Sequence, residues 1–131
     1  MKIFVNGCFD VLHKGHIELF RYAKSLGDNL IVALDSDEKI KKSKGNNRPI
    51  NNLDDRKMVL EAIKYIDHIE SFSTKEELEL LVKENNPDIL VVGSDWKGKE
   101  IVGGRYAKEV RFFERIDGYS TTKILEDSSN R

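Results

Sequence analysis

The sequence predicts an α/β fold in which a five-stranded parallel sheet lies between two layers of helices. Short apolar runs of strand length recur at Lys2–Asn6, Asn29–Asp35, His68–Phe72, Ile89–Gly93 and Val110–Glu114. Segments with helical patterning separate them, at Gly15–Leu26, Leu53–Tyr65 and Lys75–Asn85, with a short one near Arg105–Lys108. Strands that alternate with helices in this way run parallel and receive helices on both faces.

Ile3 to Val5 form a short apolar run that breaks at Gly7, as a buried strand entering a turn would. In the first helix Leu19, Phe20, Ala23 and Leu26 fall on one face, and Gly27 supplies a C-terminal stop. After the second strand, Lys41, Lys42 and Lys44 lead into Gly45-Asn-Asn-Arg48-Pro-Ile-Asn51, which reads as a mobile basic loop. Arg56 lies in the opening turn of the next helix, where its ordinary role is an ion pair with a nearby acid such as Asp55 or Glu61. Asn86-Pro87 ends the helix before the fourth strand, because the residue before proline is pushed out of the helical region. A last helix begins at Ser120 or Thr121, and the polar tail from Glu126 to Arg131 frays. With no internal repeat, linker or low-complexity tract, residues 1–131 read as one domain.

Composition bounds the partners. Charged residues make up 34% and apolar residues 39% of the chain, which suits a chain that folds around a core. A net charge of −1 argues against a general nucleic-acid binder, while leaving room for a small phosphorylated substrate held by local positive charge. The longest apolar runs are far too short to span a membrane, and the N-terminus has no signal-peptide pattern. Cys8 is the single cysteine, so no intrachain disulfide framework exists. These features point to the cytoplasm.

Open parallel sheets bind ligands beyond the carboxyl ends of their strands. The first strand ends at Gly7, the fourth at Gly93 and the fifth just before Arg115, so the notable motifs gather at one edge. His13 and His16 bracket Gly15 where the first strand turns into the first helix. A helix N-terminus offers unpaired N–H groups and partial positive charge to an anion. Gly15 permits close approach of the backbone, and imidazole N–H groups donate to phosphate oxygens. The pair suits a phosphate chain better than a metal, because no cysteine or carboxylate cluster completes a His-x-x-His site. Lys41 and Lys44 come from a segment at the same edge, as do Gly93, Asp95 and Trp96. Ser120, Thr121 and Thr122 are good helix caps whose hydroxyl and N–H groups also suit phosphate.

Gly7-Cys-Phe-Asp-Val-Leu-His-Lys-Gly-His16 resembles the G-[TC]-F-D-x-x-H-x-G-H signature of cytidylyltransferase-like nucleotidyltransferases. Gly118-Tyr-Ser-Thr-Thr-Lys-Ile124 resembles the second signature of that superfamily. The resemblance covers essentially the whole chain and implies a Rossmann-like three-layer fold, a homodimer and transfer of a nucleoside monophosphate to a phosphorylated acceptor with release of pyrophosphate. It implies catalytic roles for His13, His16, Lys44 and Arg115. Gly7, Cys8, Phe9, Gly15, Arg56, Gly93, Ser120, Thr121 and Thr122 would bind nucleotide. Asp10, Lys41, Arg48, Asn51, Asp95 and Trp96 would serve the acceptor, with Asp10 also bracing its loop. Mg²⁺ would be carried mainly by the triphosphate, so no dedicated metal cage is expected.

Two groups within the superfamily compete. Asp95-Trp-Lys-Gly-Lys99 and Arg115 look like glycerol-3-phosphate cytidylyltransferases, and on that basis CTP with a small polyol or sugar phosphate is the leading expectation. Arg48-Pro-Ile-Asn51 and Glu100-Ile-Val-Gly103 look like heptose-1-phosphate adenylyltransferases, which makes ATP the alternative. A reading of another class is a nucleotide-binding regulator without turnover, which the intact set of His13, His16, Lys44 and Arg115 argues against.

Overall fold

The computed structural model describes residues 1–114. Five strands, β1 (Lys2–Gly7), β2 (Asn29–Asp35), β3 (His68–Phe72), β4 (Ile89–Gly93) and β5 (Glu109–Phe113), form one parallel sheet in the order β3-β2-β1-β4-β5. Chain order reverses beside β1, so β1 and β4 flank the switch point at which such sheets take ligands. The helices are α1 (Lys14–Ser25), α2 (Asp37–Lys44), α3 (Leu53–Glu61) and α4 (Lys75–Asn85).

The strands alternate their side chains between two cores. Ile3, Val5, Leu30, Val32, Leu34, Ile89 and Val91 meet Phe20 and Ala23 of α1 and Leu60 of α3. Phe4, Ile31, Ala33 and Leu90 meet Leu78 and Val82 of α4 on the other face. The three central strands are apolar on both faces, as a sheet covered on both sides requires.

Several boundaries differ from the sequence reading, each for a physical reason. The basic run is the second half of a helix. Ser36 caps α2 by accepting from Lys39 N–H at 3.2 Å, Asp37 and Glu38 occupy its first turn, and Lys41, Lys42 and Lys44 its last. That charge order matches the helix dipole. Only Ile40 of α2 is buried, so the helix has no apolar stripe by which to be recognised. Helix α3 stops at Glu61, short of Tyr65, and tight turns through Ile63 and Ile66 then tuck both residues and Tyr65 against the α1 core. A single 3₁₀ turn, Gly104–Tyr106, replaces the short helix near Arg105–Lys108. Gly27 is not a left-handed stop; a Cβ there would lie 2.5 Å from the Met1 carbonyl, so glycine serves close packing. Asn86 does end α4 in the left-handed conformation. The last helix, with Arg115, Ser120, Thr121 and Thr122, falls outside the described residues.

The amino edge of the sheet is laced by carboxylates. Asp67 accepts from Leu30 N–H at 2.7 Å and from the Lys24 ammonium at 2.6 Å, and Asp88 accepts from Lys2 N–H at 2.7 Å. Burial alone would push the Asp67 carboxyl up, but Lys24 and the Leu30 N–H outweigh it and hold it below 3.8. Its contribution to stability is therefore complete above 3.8, the unfolded value, and is lost as pH falls through the lower folded value. Asp67→Asn is expected to flatten that part of the acid limb, measured as the urea midpoint against pH. An unchanged slope below pH about 4 would show that Asp67 is not a linked group.

Candidate functional site

A cavity of about 520 Å³ opens at the carboxyl edge of the sheet, above the ends of β1 and β4. Its floor includes Gly7, Cys8 and Gly93, and one wall is His13, Gly15 and His16 at the start of α1. The opposite wall is apolar, with Phe72, Leu78, Val92, Ile101 and Val102, and three ammonium groups, Lys39, Lys44 and Lys75, line the cavity.

The two histidines build the start of α1 themselves. His13 is the N-cap residue, and its Nδ1 accepts from Gly15 N–H at 3.0 Å. His16 Nδ1 accepts from His13 N–H at 3.2 Å, completing a reciprocal cap. An Nδ1 that accepts carries no proton, so each neutral ring bears its hydrogen on Nε2, the edge turned away from the cap. The rings stack with centroids 3.9 Å apart, and both line the cavity. This geometry turns the Nε2 edge of each ring, not the Nδ1 edge, away from the backbone.

Phe9 supports the pair from beneath. It is buried, meets the His16 ring edge-on at 5.4 Å and packs on Phe20 at 5.0 Å. Its φ of 46° lies in the left-handed region, a strained conformation for an aromatic residue that the surrounding packing sustains. A Cβ at position 7 would touch the Phe9 ring at 3.0 Å, which ties Gly7 to the same arrangement.

Lys44, on the last turn of α2, reaches back to Cys8, with Nζ 3.1 Å from Sγ. Lys39 pairs with Asp35 at 3.2 Å, and its ammonium lies 5.6 Å from the centre of the Phe72 ring. Asp95 and Trp96 line the cavity from the loop after β4, and Trp96 is half exposed.

Other expected contacts lie elsewhere. Asp10 is buried, and its carboxylate accepts from Ile50 N–H at 2.6 Å, Asn51 N–H at 2.7 Å and Arg48 Nε at 3.3 Å. Asn51 Nδ2 donates to the Asp10 carbonyl at 2.8 Å. Asp10, Arg48 and Asn51 thus join the signature loop to the segment before α3, and none of the three lines the cavity. Their side chains hydrogen-bond within this bridge. Arg56 is likewise turned inward. Its nitrogens donate to the carbonyls of Asn51, Cys8 and Asp35 and to the Asp37 carboxylate, so it neither contacts the cavity nor pairs with Asp55 or Glu61. Lys41 is exposed on α2 and outside the cavity.

Lys39, Lys75 and Asp35 were not singled out from the sequence. The signal was available: Asp35 ends β2, Lys39 follows one helical turn later, and Lys75 is the first residue of α4, just beyond the end of β3. Residues at those places face the ligand edge of a parallel sheet.

A family model described as cytidylyltransferase-like matches residues 4–127. The chain belongs to the cytidylyltransferase-like family. It is thereby a nucleotidyltransferase domain. The chain is 46% identical over 124 residues to the bifunctional protein HldE of Campylobacter concisus (strain 13826), covering 95% of this chain and 26% of that protein. Identity is 48% over 124 residues with the bifunctional protein HldE of a Nitratiruptor species, covering 95% and 27%. The chain thus spans about a quarter of the length of these curated relatives. Among solved structures it superposes on the lipopolysaccharide core biosynthesis protein from Thermoplasma volcanium GSS1 with a TM-score of 0.71 and 27% identity, covering 89% of this chain and 98% of that one. Among the described residues, no helix is long and apolar enough to cross a membrane.

Proposed function

We propose that this domain transfers an adenylyl group from ATP to the phosphate of a sugar 1-phosphate of the heptose type. The observation that carries the chemistry is the His13–His16 cap, which commits both Nδ1 atoms to the backbone and leaves Nε2–H as the donor edge of rings that line the cavity. The substrate class is supported by the Arg48-Pro-Ile-Asn51 and Glu100-Ile-Val-Gly103 motifs, by the HldE relatives, and by a structural neighbour named for lipopolysaccharide core biosynthesis. Alignment to about a quarter of proteins named bifunctional fits a domain that carries one of two activities.

In this reading a phosphate oxygen of the acceptor attacks the α-phosphorus of ATP. The bond from that phosphorus to the bridging oxygen breaks, and pyrophosphate leaves with the electron pair. The protein needs no nucleophile; it aligns two anions and stabilises charge as it spreads. Nε2–H of His13 and His16 donates to the α-phosphate and the leaving oxygens. Lys44 neutralises the attacking and bridging oxygens, while Lys39 and Lys75, beside the apolar wall, hold the acceptor phosphate. Arg115 and Ser120 to Thr122 would grip the β- and γ-phosphates.

Mg²⁺ fits as a companion of the triphosphate. Asp35 and Asp95 are the carboxylates among the described residues that line the cavity and would stand near the ion. Bound there, the ion would reduce the charge repelling the attacking phosphate.

The test is pyrophosphate release with Mg²⁺, each of four nucleoside triphosphates, and acceptors that include heptose 1-phosphate and glycerol 3-phosphate. Release that requires ATP and a sugar 1-phosphate is expected. Release that requires CTP and glycerol 3-phosphate would return the assignment to the cytidylyltransferase group.

A further inference from the structure

Helix α2 brings Lys39 and Lys44 to the cavity, yet only Ile40 anchors it by burial. One apolar side chain does not fix the pitch and register of an eight-residue helix, so something else must hold it. Arg56 is the largest fully buried side chain among the described residues, and its acidic partner, Asp37, is partly exposed. Burying a guanidinium is costly unless its N–H groups find acceptors. Here the acceptors come from three segments: the signature loop, the β2–α2 junction and the residues before α3. Nη1 donates to the Cys8 carbonyl at 2.9 Å, in the signature loop, and to the Asp35 carbonyl at 2.7 Å, at the end of β2. Nη2 donates to Asp37 at 2.6 Å, in the first turn of α2, and Nε donates to the Asn51 carbonyl at 3.1 Å.

We infer that Arg56 is a positioning residue that sets α2 against the signature loop and so places Lys39 and Lys44 opposite His13 and His16. The geometry supports this at both ends of the helix. At its start, the guanidinium links Cys8, Asp35 and Asp37 in one fork. At its finish, Lys44 returns to the Sγ of the same Cys8, at 3.1 Å. A planar fork can meet acceptors in several directions, whereas a lysine ammonium on a flexible stem cannot span them together. The kinetic consequence rests on the nucleotidyl-transfer reading; the geometric one does not.

Arg56→Lys and Arg56→Gln test the inference with two readouts. The first is the split between kcat and KM in pyrophosphate release. Displacing α2 should lower kcat about 100-fold while the triphosphate KM moves by less than about threefold, with lysine retaining more turnover than glutamine. The second needs no activity. Cys8 is the only thiol, so a short maleimide–succinimidyl ester reagent can join it to Lys44, with the linked peptide counted by mass spectrometry. Its yield should fall several-fold in both variants. Folded variants with wild-type yield and kcat within about twofold of wild type would overturn the inference. Should both variants fail to fold, Asp37→Asn decides by the same readouts, because it removes one arm and leaves the buried arginine in place. If the unaltered protein releases no pyrophosphate with any substrate pair, the proposed function fails, and the cross-link alone decides the positioning role.

Discussion

Replacing His16 with alanine is expected to lower kcat by about 10²–10³-fold, the usual loss when one preorganised donor to a developing negative charge is removed. The fold should survive. The substitution also removes the acceptor for His13 N–H, a cap worth about 1 kcal/mol, which is small beside a typical stability of about 5–15 kcal/mol. Two further variants separate the ring's two edges. His16→Asn keeps an acceptor near the Nδ1 position and loses the Nε2–H, so it should melt like the unaltered protein and turn over as slowly as alanine. His16→Gln places an amide N–H near the Nε2 position and gives up the cap, so it should melt slightly lower and retain more turnover. An asparagine variant with near-normal kcat would show that Nε2–H does not carry the chemistry.

The site was legible in the sequence where local chemistry and strand order coincide. Gly7, His13, Gly15 and His16 occupy one strand-to-helix turn, and that turn alone predicts both the anion site and its edge of the sheet. Gly93, Asp95 and Trp96 followed from the same rule, applied to the fourth strand. Contacts that depend on what lies across the fold were not legible. Arg56 resembles any first-turn arginine until the fold brings the carbonyls of Cys8, 48 positions away, and Asp35, 21 positions away, to its guanidinium. Asp10 and Arg48 lie 38 positions apart, so their pairing is not visible in local sequence. Helix α2 was missed because its signals are a serine cap and charge order, with a single buried apolar residue. The amino edge shows the complementary lesson. Its depressed carboxylates, Asp28, Asp67 and Asp88, lie at the strand starts, far from the cavity, and serve stability.

Asp10→Asn is expected to destabilise the fold by about 3–5 kcal/mol, because it strips the counter-charge from the largely shielded Arg48 and turns an N–H₂ group toward backbone donors. The side chain of Asp10 is fully shielded and that of Arg48 is 12% exposed, so water cannot replace the lost partner. Among the described residues Arg48 Nη2 has no acceptor, so the Asp10 carboxylate carries most of the burden of neutralising this guanidinium. In a domain of this size the melting temperature should fall by more than about 10 °C. The loss should be strongly non-additive. Asp10→Ala combined with Arg48→Met removes both charges, and it should recover a large part of the stability that Asp10→Ala loses alone, since much of the single-variant cost is the unpaired arginine. Kinetics then distinguish a brace from a substrate contact. A brace predicts that the folded double variant keeps the acceptor KM within a few-fold of normal. A rise in acceptor KM of about 100-fold, with stability restored, would mean that Asp10 or Arg48 turns toward the acceptor when it binds.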